Sequence, residues 1–200
     1  MSLQDKVVVI MGASSGIGAA TARLLAERGA KLTLAARRLA RLEEIKSAYP
    51  EASIETVEAD VTDMAAVQSV IDHTVAKFGR VDVLFNNAGI MPVNNLSELA
   101  HQEWQQMLDI NVKGVLNGIA AALPVMRKQK FGHVISTSSV LGYEVLPGYA
   151  AYSGTKFAVR AIMEGLREEE RQNGIKTTVI APGSVKTELF GSINNRAFYN

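Results

Sequence analysis

Residues 7–18 read VVVIMGASSGIG, and the switch within them decides the fold. An unbroken apolar run, Val7 to Met11, gives way to three glycines, Gly12, Gly16 and Gly18. A parallel strand covered on both faces requires such a run, because neither side of it meets water. Ile17, Thr21, Leu24, Leu25 and Arg28 then keep helical spacing until Gly29, the residue type that most easily adopts the left-handed turn ending a helix. KLTLAA from Lys31 is the next apolar run, so strand, helix and strand already succeed one another.

The alternation continues outward. The strand-like runs are KVVVIM from Lys6, KLTLAA from Lys31, SIETVEA from Ser53, VDVLFN from Val81, HVISTS from His133 and KTTVIAP from Lys176. Most are continuously apolar; SIETVEA alternates and therefore belongs at a sheet edge. The pattern predicts a three-layer, doubly wound α/β fold on a parallel sheet with right-handed crossovers, residues 1–200 forming a single domain. Ligands in such folds bind beyond the carboxyl ends of the strands. Small, polar or charged residues follow every run: GASSGIG, RR, ADVTD, NNAG, TSS and PGSVKT.

Composition removes several function classes. The net charge is +1, with basic residues spread along the chain, so no basic stripe points to nucleic acid. Cysteine is absent, which excludes disulfides and thiolate metal sites. His73, His101 and His133 lack metal-ligand spacing, and no metal site is expected. The N-terminal run is too short for a membrane span and lacks a cleavage-type region, so a soluble, cytoplasmic protein without membrane partners is expected. REEER, residues 167–171, reads as a solvated helix face, and Trp104 and Met107 as packing on a shared face.

The glycines sit where a dinucleotide loop needs them, between the first strand and the first helix. There they permit a tight turn and close backbone approach, and the helix N-terminus offers free N–H groups to a pyrophosphate. Their G-x-x-x-G-x-G spacing differs from G-x-G-x-x-G, and no Gly-Lys-Ser/Thr follows to make a Walker loop. After the second strand, where an acid would select NAD, stand Arg37 and Arg38. A guanidinium binds a 2′-phosphate that a carboxylate would repel, which favours NADP, with Arg37 as the first choice and NAD still possible.

Tyr152 and Lys156 stand four residues apart and so share a helix face. With the glycine loop, N-N-A-G at Asn86 to Gly89, Asn111, Ser139 and P-G-x-V-x-T at Pro182 to Thr187, this Y-x-x-x-K pair resembles the short-chain dehydrogenase/reductase family over nearly the whole chain. The resemblance implies a Rossmann-type domain, a nicotinamide cofactor and hydride transfer between that cofactor and a carbonyl or secondary alcohol. It makes Tyr152 the acid/base, Lys156 its electrostatic partner and ribose ligand, Ser139 the polarising hydroxyl and Asn111 the holder of a relay water. It also places Gly12, Ser14, Ser15, Gly16, Ile17, Gly18, Arg37, Arg38, Asp60, Val61, Asn87, Ala88, Gly89, Pro182, Gly183, Val185 and Thr187 along the cofactor. Ser136 and Ser138 are expected to pack or bond locally. A free phenol titrates near pH 10, and poising it near neutrality takes about 4 kcal/mol. A lysine charge about 5 Å away supplies on the order of 3 kcal/mol at an effective dielectric of about 20.

Three departures from the family pattern stand out. Met11 replaces a common threonine, Ser15 replaces a residue that is basic in some NADP-selective members, and the sequence stops at Asn200, so the family's final helix and seventh strand are missing. Met91, Val93, Tyr143, Leu146, Tyr149, Leu189 and Phe190, with Glu144 as the one charge, are candidate lining for a small, mostly apolar carbonyl or alcohol. A homodimer or homotetramer is implied. The competing reading is a non-catalytic NAD(P)-binding redox sensor or scaffold; a third, a dehydratase or epimerase, would need a longer substrate region.

Overall fold

The computed structural model describes residues 3–189, which build one all-parallel sheet in the order β3-β2-β1-β4-β5-β6. The elements are β1 (Val7–Met11), α1 (Gly16–Glu27), β2 (Lys31–Ala36), α2 (Leu39–Ala48), β3 (Ile54–Glu58), α3 (Met64–Phe78), β4 (Val83–Asn86), α4 (His101–Met107), α5 (Gly114–Gln129), β5 (Gly132–Thr137), α6 (Ala150–Glu170) and β6 (Ile175–Ile180). All the predicted strands form, and β3 lies at an edge as its alternation requires. Strand order reverses between β1 and β4, which sets the crevice expected of such sheets at their carboxyl ends.

Two-sided burial explains the apolar run of β1. Val8 and Ile10 join a core with Ala19, Ala22 and Ala26 of α1 and Leu42 and Ile45 of α2. Val9 and Met11 face the opposite layer, built from α3, α5 and α6 through residues such as Val70, Ile119 and Met163. The predicted helix α1 buries Gly18, Ala19, Ala22 and Ala26 and packs Ile17 and Leu25 against the core, while Leu24 is exposed. Small residues let the helix lie close on the sheet, where leucines would hold it off.

Among the described residues, the far side of the sheet departs from the fully covered pattern. Burial alternates along β5 and β6, leaving Lys176, Thr178 and Ile180 exposed, because α1 and α2 cover only the β1–β3 end of that face. REEER also departs from its reading as a solvated face. Glu170 is fully buried and accepts from Arg127 Nε at 3.0 and 2.9 Å, so this residue ties α6 to α5.

Between α4 and α5, residues Leu108–Lys113 wind as a π-helix, so that His101 to Gln129 is one continuous helical segment. A π-turn inserts an extra residue into the helix and re-aims the side chains around it, and such turns gather at functional sites. Here it buries Asn111 beneath the loop that follows β4.

Candidate active site

The strand ends open on one cleft of roughly 560 Å³. All the cofactor candidates line it except Gly18, which lies just beneath: Gly12, Ser14, Ser15, Gly16 and Ile17 after β1, Arg37 and Arg38 after β2, Asp60 and Val61 after β3, Asn87 to Gly89 after β4, and Pro182, Gly183, Val185 and Thr187 after β6. A Cβ on Gly18 would stand 2.3 Å from the Gly12 carbonyl oxygen. The glycines are therefore required by packing as well as by access.

Ser15 begins α1 in an extended conformation and its side chain gives the helix no cap. Among the described residues the first-turn N–H groups therefore receive no cap from Ser15, at a helix end that borders the cleft through Ser15, Gly16 and Ile17. With Ser14 and Ser15 beside it, this end fits the pyrophosphate of a dinucleotide.

A chain of hydrogen bonds ties three strand ends to α6. Asn87 Nδ2 donates to the Gly12 carbonyl at 3.1 Å, Thr137 Oγ1 donates to Asn87 Oδ1 at 3.1 Å, and Lys156 Nζ donates to the Thr137 carbonyl at 3.0 Å. Lys156 is almost wholly buried, at 5% exposed, one turn beyond Tyr152, at 4%. Its ammonium lies 5.6 Å from the centre of the Tyr152 ring. Ser139 precedes a 3-10 turn (Val140–Gly142), and its Oγ accepts from the Leu141 N–H at 3.1 Å while bonding the Tyr152 side chain. Accepting from the backbone leaves the serine proton to point along the rim toward the Tyr152 oxygen. Ser139, Tyr152 and Lys156 all line the cleft.

The electrostatics differ from the simple picture of a lysine acidifying a phenol. Burial raises the Tyr152 phenol above its ordinary range, with the Ser139 hydrogen bond opposing it. Burial also brings Lys156 down to about 8, so at pH 7 it is still mostly charged. Desolvation wins because both groups sit in the same enclosed wall, where removing water penalises each charged form.

Asn111 does not line the cleft. Its Nδ2 donates to the Ile90 carbonyl at 2.9 Å and to Thr155 Oγ1 at 3.1 Å, while Oδ1 accepts from the Ile90 N–H at 2.9 Å. Both amide hydrogens are thus committed to bracing Ile90 and α6. Asn111→Leu would strand two partly buried backbone groups of Ile90, and chemical denaturation should show a loss of about 1–3 kcal/mol.

After β3, burial raises the Asp60 carboxyl but is outweighed by two hydrogen bonds from Thr62 and by the Arg37 charge, leaving it below its usual value. Arg38 is engaged elsewhere: Nε and Nη2 donate to Ser14 Oγ at 3.3 and 3.1 Å, and Nη1 pairs with Glu188 at 2.9 Å. Residue spacing gave no sign of Glu188, which meets Arg38 from 150 positions away.

Met91, Glu144, Leu146, Tyr149 and Leu189, all candidate substrate lining, also line the cleft. Val93 packs behind it with Met91 and Met107, and Trp104 packs against the same cluster. Tyr143 faces away, its ring 3.6 Å from the Arg160 guanidinium, because the 3-10 turn carries the chain over the outer side of α6. Ser136 bonds Met163 Sδ at 3.1 Å, and Ser138 reaches across to the Lys156 carbonyl at 3.0 Å rather than bonding locally. Phe190 lies outside the described residues.

A family model described as short chain dehydrogenase matches residues 6–197. An uncharacterized oxidoreductase of Staphylococcus saprophyticus is 53% identical over 197 residues, covering 98% of this chain and 80% of that protein. Among solved structures, a short chain dehydrogenase/reductase from Burkholderia phymatum in complex with NAD superposes with a TM-score of 0.92 at 31% identity, over 100% of this chain and 74% of that one. An alcohol dehydrogenase from the archaeon Thermococcus sibiricus complexed with 5-hydroxy-NADP gives 0.89 at 32% identity, over 96% and 82% of the two chains.

Proposed function

The chain belongs to the short-chain dehydrogenase family of NAD(P)-dependent oxidoreductases, which act on alcohols and carbonyls, and from that premise we propose an NADP-dependent enzyme for a small, mostly apolar carbonyl or secondary alcohol. The observation that carries this reading is the convergence of Ser139, Tyr152 and Lys156 on one cleft with the uncapped N-terminus of α1. We take residues 1–200 to act as a single cofactor-binding domain with an integrated substrate site, in a cytoplasmic homodimer or homotetramer.

When bound, the nicotinamide supplies or accepts the hydride. In the reducing direction Tyr152 donates its hydroxyl proton to the substrate oxygen, to which Ser139 gives a second hydrogen bond as negative charge builds there. Lys156 holds the phenolate that remains and binds the nicotinamide ribose. Asn111 Oδ1 and Lys156 Nζ both border the space that a Gly89 side chain would fill, at 3.3 and 3.6 Å from its ideal Cβ, and that space suits a relay water returning a proton to Tyr152. Asp60 and Val61 hold the adenine, Asn87 to Gly89 run along the dinucleotide, and the Pro182 to Thr187 loop holds the carboxamide end.

Arg37 takes the 2′-phosphate. Hydrogen bonds to charged groups contribute roughly 1.5–3 kcal/mol, so Arg37→Gln should weaken NADPH binding about tenfold or more and leave NADH within about twofold. Fluorescence titration with both cofactors checks this. A panel of carbonyls and alcohols with NADPH and NADH tests the reaction itself; tight cofactor binding without turnover of any compound would instead favour the sensor or scaffold.

A further inference from the structure

Glu188 leaves the loop after β6 and crosses to the opposite rim of the cleft. The segment is seated there by side-chain contact: a Cβ on Gly16 would stand 3.3 Å from Thr187 Cβ. Thr187 Oγ1 in turn accepts from the Leu189 N–H at 3.3 Å, which turns the chain just past Glu188. The Glu188 carboxylate then meets Arg38 Nη1 at 2.9 Å and lies 4.0 Å from Arg41 Nη2. An anion of this chain therefore occupies cationic groups that follow β2, the position at which such folds recognise the ribose 2′ substituent.

We propose that Glu188 is a cofactor-selectivity residue whose carboxylate stands in for a 2′-phosphate on Arg38, so that a phosphorylated dinucleotide gains Arg38 only by displacing it. The idea rests on the reading of the cleft as a nicotinamide dinucleotide site and adds a second, self-occupied cation to Arg37. Two features favour displacement over a permanent tie. Both side chains are about half exposed, at 48% and 52%, so the pair is cheap to open. Arg38 also keeps its bonds to Ser14 when Glu188 departs, so the guanidinium stays aimed at the rim. Because the exposed pair is weak, the effect on selectivity is modest: the carboxylate lowers affinity for 2′-phosphorylated ligands by about threefold to fivefold at low salt.

Calorimetry with adenosine 2′,5′-bisphosphate and 5′-AMP, alongside NADPH and NADH titrations, is the test. Glu188→Gln should tighten the bisphosphate and NADPH by about threefold to fivefold and 5′-AMP and NADH by less than about twofold. The gain should vanish in the Arg38→Gln background, where no guanidinium remains to be released. No tightening, or equal tightening of phosphorylated and unphosphorylated ligands, overturns the proposal. A wild-type protein that prefers NADH while Glu188→Gln still shifts toward the phosphorylated ligand would defeat the NADP preference and leave the Glu188 role standing. Should no dinucleotide bind, the cofactor reading fails and the bisphosphate comparison still decides the matter.

Discussion

Tyr152→Phe is expected to bind NADPH within about twofold of the wild-type affinity while turnover falls by about 10²- to 10⁴-fold, the range that a positioned acid/base contributes. The two readouts separate because the hydroxyl and the ring do different work. The ring packs with Met91, Val93, Met107 and Leu141, a cluster that phenylalanine preserves. The hydroxyl faces Ser139 at the rim and, in the proposed reaction, carries the transferred proton. Losing it leaves the Ser139 proton without its partner yet still within reach of solvent in the cleft, so stability should change little. Stopped-flow measurement of NADPH oxidation beside equilibrium binding checks both halves. Equal losses of binding and turnover would mean that Tyr152 is a structural residue of the pocket wall.

Gly12→Ala should damage the framework rather than the chemistry. Gly12 has φ near 82°, a region that costs an L-residue roughly 1–2 kcal/mol. An added Cβ would also stand 2.6 Å from the Ala88 backbone nitrogen and 2.7 Å from its Cα, and overpacking of that kind costs typically about 1–3 kcal/mol. Neither obstacle is the end of a flexible side chain, so Ala88 must move. That displaces Asn87, which joins the Gly12 carbonyl to Thr137 and through it to Lys156. The combined loss of about 2–5 kcal/mol should lower Tm by roughly 5–15 °C for a chain of this size. Dinucleotide affinity should fall by an order of magnitude or more, since roughly 1.4 kcal/mol of lost alignment is a factor of ten. Gly183→Ala is the matched control: it lines the same cleft, its Cβ meets nothing within 4 Å, and Tm should barely change.

The sheet was legible because parallel strands buried on both faces leave continuous apolar runs, and Val7 to Met11 shows this most plainly. The edge position of β3 followed from its polar–apolar sequence pattern, which only a strand with incompletely buried faces tolerates, and Glu55, Thr56 and Val57 are half-buried there. Other features left no such trace. Alanine and glycine make the most buried part of the α1 contact face, with Leu24 exposed despite its helical spacing, since depth of approach matters more there than residue volume. The π-turn around Asn111 has no local sequence signature, as it arises where the segment from α4 to α5 must fit against α6 and the Ile90 loop. The contact between Glu188 and Arg38 depends on two loops meeting over the cleft, which periodicity cannot register.

The residues of the candidate site were legible from motif and order, but the balance of its electrostatics was not. Charge separation alone favoured a phenol lowered by Lys156. Enclosure reverses this in the free protein, where Tyr152 is raised and Lys156 is brought to about 8. Poising the phenol then requires positive charge beyond the lysine, and the oxidised nicotinamide carries one.

A spectrophotometric titration of Tyr152, taken as the difference between wild type and Tyr152→Phe with and without saturating NADP⁺, tests that chemistry most directly. Phenolate should form above the ordinary tyrosine range in the free protein and at markedly lower pH in the loaded one. An unchanged titration on loading, or a phenol already acidic without the cofactor, would contradict it.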